Sequence, residues 1–376
     1  MVLLTLLRHA DVYAPESLGI TDLWVAGTSI VHIGEAHVPP ELVAHTIDLA
    51  GQRVIPGLID GHVHVTGGGG ESGPASRVPP ITARMLIDAG ITTCVGLLGT
   101  DGTTRSIASL VARTLGLRAE GLSAYCYTGS YEVPVRTLTG SVRGDIAFVD
   151  PIIGVGELAI SDHRSSQPTY EELVRIASDA HVGGLMSGKA GIVHLHLGDG
   201  ARGLSLVRRA LDECELPPRV FHPTHVNRNK RLFVEAMALA PRGCAIDVTA
   251  FPAGDEGLSA EDAISVYLDE KLPADNLTCS SDGCGCLPTF NAQGEMIAMD
   301  VGKPSALTDA LRALIKKSRA LSEVLPIFTS NPARLLRLAR KGRIAVGHDA
   351  DFAVLDAAGQ VTQVMALGQL VKRGEK

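Results

Sequence analysis

From Val54 onward the chain alternates short apolar runs with amphipathic segments, and it does so eight times. The runs Val54–Ile59, Thr92–Leu98, Ser123–Tyr127, Ile152–Ile160, Ile192–Leu197, Val220–His225, Ala245–Thr249 and Leu277–Ser281 read as strands. Between them, apolar residues recur at three- and four-residue spacing. Leu173, Ile176, Ala177 and Ala180 make one such helical face, and Leu204, Val207, Ala210 and Leu211 another. Thr169-x-x-Glu172 and Ser259-x-x-Asp262 carry helix-start signals. Strands that are apolar throughout need helices on their faces, so the rhythm predicts an α/β fold, a (β/α)8 TIM-type barrel. A doubly wound open sheet is the other architecture such a rhythm allows.

The two ends of the chain read differently. Val2–Leu7, Asp22–Val25, Ser29–Ile33 and His45–Leu49 form short strands punctuated by Pro15, Gly19, Gly27 and Gly34. After predicted helices over Ala306–Leu321 and Val324–Leu338, short strands return at Gly342–Ile344, Asp351–Leu355 and Val361–Leu367. The expected organisation is therefore a small β-sandwich domain from residues 1–55 and 343–376, with the barrel at 56–342. Seven cysteines, an odd number without paired CxxC spacing, read as reduced thiols. Cys279, Cys284 and Cys286 cluster, but their spacing does not suit a zinc site. A net charge of -7 gives no electrostatic reason to expect nucleic acid as a partner. No apolar run approaches the ~18 residues of a membrane span, so a cytoplasmic protein is expected.

Barrels of this kind carry their chemistry at the C-terminal ends of the strands. Those ends hold a short list: His62 and His64, Glu157, His194 and His196, His225, and Asp282. In an extended strand, residues two apart share a face, so His62 and His64 are placed to grip one ion. A carboxylate such as Glu157 inside an apolar strand is costly unless paired or metal-bound. His62, His64, Glu157, His196, His225 and Asp282 supply nitrogen and oxygen ligands enough for two divalent ions. His194 reads as a deeper core histidine, and His222 as one facing the helices. His163 lies in a loop beside Arg164, where it reads as a supporting group for the site.

The run Pro56-Gly-x-Ile-Asp-x-His-x-His64, then Asn331-Pro332-Ala333 and Gly342-x-Ile344-x-x-Gly347-x-Asp349-Ala350-Asp351, resembles the amidohydrolase superfamily. Gly67–Pro74, Val95–Asp101, Ile160–Ser165, Pro223–Asn229 and Ser280–Gly283 further resemble its isoaspartyl dipeptidase (β-aspartyl peptidase) family. The likeness runs essentially the whole length. It implies metal ligation by His62, His64, His196, His225 and Asp282, with Asp282 also the proton shuttle. It implies that Glu71, with Thr100 beside it, binds a substrate ammonium group, and that Arg164 and Arg228 bind carboxylates. Tyr131 would polarise the scissile carbonyl. Two positions depart from the family: Glu157 stands where a carboxylated lysine bridges the metals, and Cys286 where a serine touches a substrate carboxylate.

The resemblance thus implies a metallopeptidase. It would cleave short zwitterionic β-aspartyl dipeptides with a hydroxide bridging two divalent ions, zinc foremost, and would assemble as a homo-oligomer. Two rivals remain at this point. One is another amidohydrolase reaction, on an N-acyl amino acid or cyclic amide; the other is a catalytically inactive scaffold of the same fold.

Overall fold

The computed structural model describes residues 3–252, 257–290 and 296–372. Among them the alternation becomes two parallel ladders of barrel strands. Leu58–Val63, Ile91–Gly96, Ser123–Thr128, Ile152–Ile160, Ile192–Leu197 and Phe221–Thr224 pair in sequence order, and Ile246–Thr249 pairs with Leu277–Ser280. Two seams join the ladders into a TIM-type barrel. The Val226 amide donates to the Asp247 carbonyl across 3.3 Å, and the His64 amide to the Gly283 carbonyl across 2.9 Å.

The barrel's outer face is apolar and covered by helices. Cys94, Cys126, Val155, Val193, Leu195 and Phe221 pack with helix residues such as Leu110, Leu173, Ala180 and Phe233. The helix Tyr170–Ser187 starts at Thr169, whose side chain caps the Glu172 amide while Glu172 caps Thr169 in return. Ser259 N-caps Ala260–Asp269, its side chain accepting from the Asp262 amide. Inside, Ile59, Val95, Tyr127, Ile153 and Ile192 form a buried, mostly apolar floor. Ala333, Leu335 and Leu336, on and just after the short helix Ser330–Leu335, plug that floor from below. Asn331 anchors the plug by donating to the carbonyls of Ala274 and Leu277 at 2.8 and 2.9 Å. The Asn-Pro-Ala motif is therefore part of the barrel's base.

Several expected boundaries move, each for a physical reason. The run Val54–Ile59 is not one strand. Arg53–Pro56 pairs antiparallel with Phe352–Leu355 in the outer sheet, and only Leu58–Val63 belongs to the barrel. The break falls at Gly57, where a Cβ would lie 2.1 Å from the Thr92 hydroxyl. The helix expected over Val324–Leu338 is two, Leu321–Phe328 and Ser330–Leu335, with a break at Thr329 (φ -137°, ψ -83°). Gly342–Ile344 is a bend instead of a strand, with Gly342 at φ +74°. The sequence reading also missed a hairpin, Cys286–Phe290 against Met296–Val301.

Strands from both ends meet in one eight-stranded sheet. Its core is Leu7, Val12, Leu23, Val25, Ile30, Val54, Phe352 and Val354. Lys341 ties this sheet to the barrel: its buried ammonium donates to Ser123 of barrel strand three (2.6 Å) and to Asp351 (2.5 Å). Asp349 lies 2.9 Å from the same nitrogen. Replacing Lys341 with alanine leaves two acidic groups without their shared cation. The variant should lose about 3–5 kcal/mol of stability; a thermal melt superimposable on wild type would contradict this.

Candidate active site

At the C-terminal mouth of the barrel, four histidines and two carboxylates converge. Glu157 stands at the centre. Its Oε1 lies 3.5 Å from His62 Nε2 and 3.4 Å from His64 Nε2. Its Oε2 lies 3.1 Å from His196 Nδ1 and 3.5 Å from His225 Nε2. One carboxylate thus presents one oxygen to each pair of imidazoles. Asp282 Oδ1 closes the first pair, 3.4 Å from His62 Nε2 and 3.1 Å from His64 Nε2.

Local backbone irregularities aim these groups. Val193 pairs with Val155 and Leu195 with Leu158, so strand four carries one residue more than strand five between those points. Val155 and Leu158 both face the helices, and the bulge between them turns Glu157 inward. Gly156 permits the close approach, since a Cβ there would meet His194 Cβ at 2.8 Å. His225 (φ 59°) and Asp282 (φ 51°) adopt the left-handed region just after their strands end. Such residues cost about 1–3 kcal/mol each and persist where the surroundings hold them.

Burial opposes charge throughout the cluster. At His62 and His64 the carboxylates of Glu157 and Asp282 override it and hold both imidazoles above their ordinary range. Burial prevails at His225, which is pushed down to about 4 and so keeps a bare nitrogen. Burial would raise Glu157, but His62 and the surrounding imidazole hydrogen bonds hold it well below the usual carboxylate range. His62 Nε2 and Asp282 Oδ1 are buried and have no hydrogen-bond partner among the described residues. Three ligand groups, His62/His64/Glu157, Glu157/His196/His225 and His62/His225/Asp282, each keep their donor atoms within 4.8 Å of one another. Buried, unsatisfied nitrogen and oxygen donors at this spacing fit divalent cations. None of these groups includes a cysteine among the described residues.

The remaining expected residues line one cavity of about 360 Å³ above the cluster, a size that suits a small ligand. Glu71 Oε1 accepts from Thr100 at 3.0 Å, while its Oε2 is buried without a partner among the described residues. The glycine-rich run before Glu71 is stapled by Arg105, which donates to the carbonyls of Gly68 (2.7 Å) and Gly69 (3.1 Å). Tyr131 is buried, and its hydroxyl reaches to 2.7 Å from His196 Nδ1. Arg228 donates to Asp199 (3.1 Å) and to the Leu197 carbonyl (2.5 Å) at the rim. Cys286 is half-buried in the same wall. Burial pushes its thiol up to about 12, so it meets a ligand uncharged.

Sequence reasoning missed Asp162 and Asp247. Asp162 forks onto Arg164 at 2.8 and 3.1 Å and accepts from His196 Nε2 at 2.9 Å. His163, beside it, sits mostly exposed, 3.5 Å from the Asp162 carboxylate. His194 is deeper in the barrel, as expected. His222, however, faces the interior and not the helices: it packs on His194, their rings 4.8 Å apart. Counting three residues back from His225 fails because the chain leaves extended geometry at His225 itself.

Comparison with known proteins agrees with this geometry. The amidohydrolase family profile matches residues 53–371. The crystal structure of β-aspartyl dipeptidase from Fervidobacterium islandicum AW-1, in complex with β-Asp-Leu dipeptide, is 43% identical with a TM-score of 0.94. It covers 99% of this chain and 97% of that one. A second structure of β-aspartyl dipeptidase from the same organism is 42% identical with a TM-score of 0.90, over the same shares of both chains. An allantoinase of Deinococcus radiodurans is 24% identical, over 93% of this chain and 86% of its own.

Proposed function

The chain belongs to the amidohydrolase superfamily and, within it, to the β-aspartyl dipeptidase family, and from that premise we propose that it is a metal-dependent hydrolase of β-aspartyl dipeptides. The observation that carries the proposal is the division of Glu157, one oxygen toward His62 and His64 and the other toward His196 and His225. His62, His64, Asp282 and Glu157 Oε1 would hold one divalent ion; Glu157 Oε2, His196 and His225 would hold a second, with zinc the ion the donor set suits. When bound, such ions polarise a carbonyl and make water a competent nucleophile near neutral pH.

The protein's own groups do the rest. Glu71 offers Oε2, unpartnered among the described residues, to the substrate ammonium, and Thr100 fixes its other oxygen. Arg164 and Arg228 face substrate carboxylates, where a guanidinium orients by forked hydrogen bonds. Arg164 is itself aimed by Asp162. The Tyr131 hydroxyl, beside His196, donates to the carbonyl oxygen as charge gathers on it. Asp282 takes a proton from the attacking water and passes it to the leaving amine.

We further read residues 1–55 and 343–376 as a β-sandwich domain beside a barrel at 56–342, and the protein as a cytoplasmic homo-oligomer. Seven free cysteines suit a reducing compartment, and no helix among the described residues is long and apolar enough to cross a membrane.

A substrate panel tests the function. Zinc-loaded protein should cleave β-aspartyl dipeptides and leave N-acyl amino acids and cyclic amides nearly untouched; turnover of only the latter would overturn the proposal. At Cys286 a thiol replaces a better hydrogen-bonding hydroxyl. Cys286→Ser should therefore lower KM for β-Asp-Leu about fivefold, equivalent to ~1 kcal/mol of one improved hydrogen bond. An unchanged KM would remove this residue from the substrate contacts.

A further inference from the structure

Below the ligand cluster, four side chains that no proposed step uses form a belt across four consecutive strands. They are His194, His222, Asp247 and Thr278, all buried. His194 and His222 are direct cross-strand partners, as are Asp247 and Thr278. The contacts run in a line: His62 Nδ1 to His194 Nε2 at 2.8 Å, His194 Nδ1 to His222 Nδ1 at 2.9 Å, His222 Nε2 to Thr278 Oγ1 at 3.0 Å, and Thr278 Oγ1 to Asp247 Oδ1 at 2.6 Å. The other Asp247 oxygen accepts from Thr224 at 2.7 Å and Ser280 at 2.5 Å. Asp247 is thus an acceptor fed by three hydroxyls from the two strands that flank its own.

The direction of every proton in the line follows from that acceptor. A carboxylate only accepts, so the Thr278 hydroxyl donates to it and has one proton to give. His222 Nε2 must then be the donor to Thr278. Burial pushes His222 down to about 4, so its ring is neutral and its other nitrogen, Nδ1, is bare. That bare nitrogen accepts from His194 Nδ1, which leaves His194 Nε2 to accept from His62 Nδ1. His62 therefore carries a proton at Nδ1, which leaves Nε2, the atom that faces Glu157 and Asp282, as the nitrogen that can be given to a metal ion.

We propose that Asp247, Thr278, His222 and His194 are positioning residues forming a one-way hydrogen-bond relay, which fixes the tautomer and ring orientation of His62 for metal binding. Partners of metal-bound histidines commonly orient the ring and raise its basicity. Here the partner is not one carboxylate but a four-residue line ending in one. The inference rests on the reading of His62 as a metal ligand.

Thr278→Val breaks one link with little change of shape, and Thr278→Ser keeps it. In competition with a chelator, the zinc dissociation constant of Thr278→Val should rise about tenfold or more, while that of Thr278→Ser stays near wild type. Circular dichroism reports whether each variant is folded. Wild type that binds zinc and a folded Thr278→Val that binds it equally well would overturn the relay and leave the metal site standing. Wild type that binds no zinc would overturn both. A second measurement needs no variant: nitrogen-15 NMR of the histidine rings in the zinc-loaded protein should show Nδ1–H at His62 and His194 and Nε2–H at His222. The opposite order at any of the three contradicts the relay.

Discussion

Replacing Glu157 with glutamine should reduce turnover by about a thousandfold and lower bound metal from two equivalents to one or fewer. An amide keeps the shape of the side chain but has one oxygen in place of two, and no charge. It can face only one of the two imidazole pairs, His62 and His64 or His196 and His225, that Glu157 now serves together. Electrostatic assistance from a bound ion amounts to several kcal/mol at the transition state, and each ~1.4 kcal/mol is tenfold in rate. The loss should therefore appear in kcat more than in KM, because Glu71, Arg164 and Arg228 are untouched. Metal analysis by mass spectrometry, beside steady-state kinetics on β-Asp-Leu, checks both parts. Two equivalents of metal with full turnover in the variant would show that Glu157 bridges nothing.

The second large effect is expected at Asp282. Its Oδ1 lies within 3.4 Å of both His62 and His64 and has no hydrogen-bond partner among the described residues. Burial would favour the protonated acid, but His62 and His64 override it and hold the carboxyl well below its ordinary range. Asp282 is thus held as the carboxylate, the form that the proposed proton transfer starts from. Asparagine retains an oxygen for the cluster and cannot carry that proton to the leaving amine. General acid–base groups contribute roughly 10²–10⁴-fold, and Asp282→Asn should lose an amount in that range while its melting curve stays near wild type. Retained activity in a folded, metal-loaded Asp282→Asn would remove the residue from the proton path.

The barrel was legible because its strands are apolar and its helices periodic; Ile152–Ile160 and Ile192–Leu197 have the same ends in sequence and structure. Its first strand was misplaced because Val54–Ile59 serves two sheets, and composition does not change at Gly57, where it crosses between them. The two-helix end of the chain blurred for a related reason: the break at Thr329 is a matter of backbone angle, not of apolar period. The site was legible where a polar residue interrupts an apolar strand end. Glu157 was found that way, although period-two counting does not predict its inward turn, which depends on the bulge beside it. By the same logic Asp247, a carboxylate inside Ile246–Thr249, was visible in the sequence and was passed over. Asp162 was not visible in that sense. It lies past its strand's end, and although Arg164 is only two residues away, His196 becomes its neighbour only once strands four and five pair.

One titration tests the central claim most directly. Metal-stripped protein is supplied with zinc stepwise while the rate of β-Asp-Leu hydrolysis is followed. A centre divided about Glu157 predicts a rate that climbs until two equivalents per chain are bound and then levels off. Levelling at one equivalent would contradict the bridging role, and no hydrolysis at any loading would contradict the function itself.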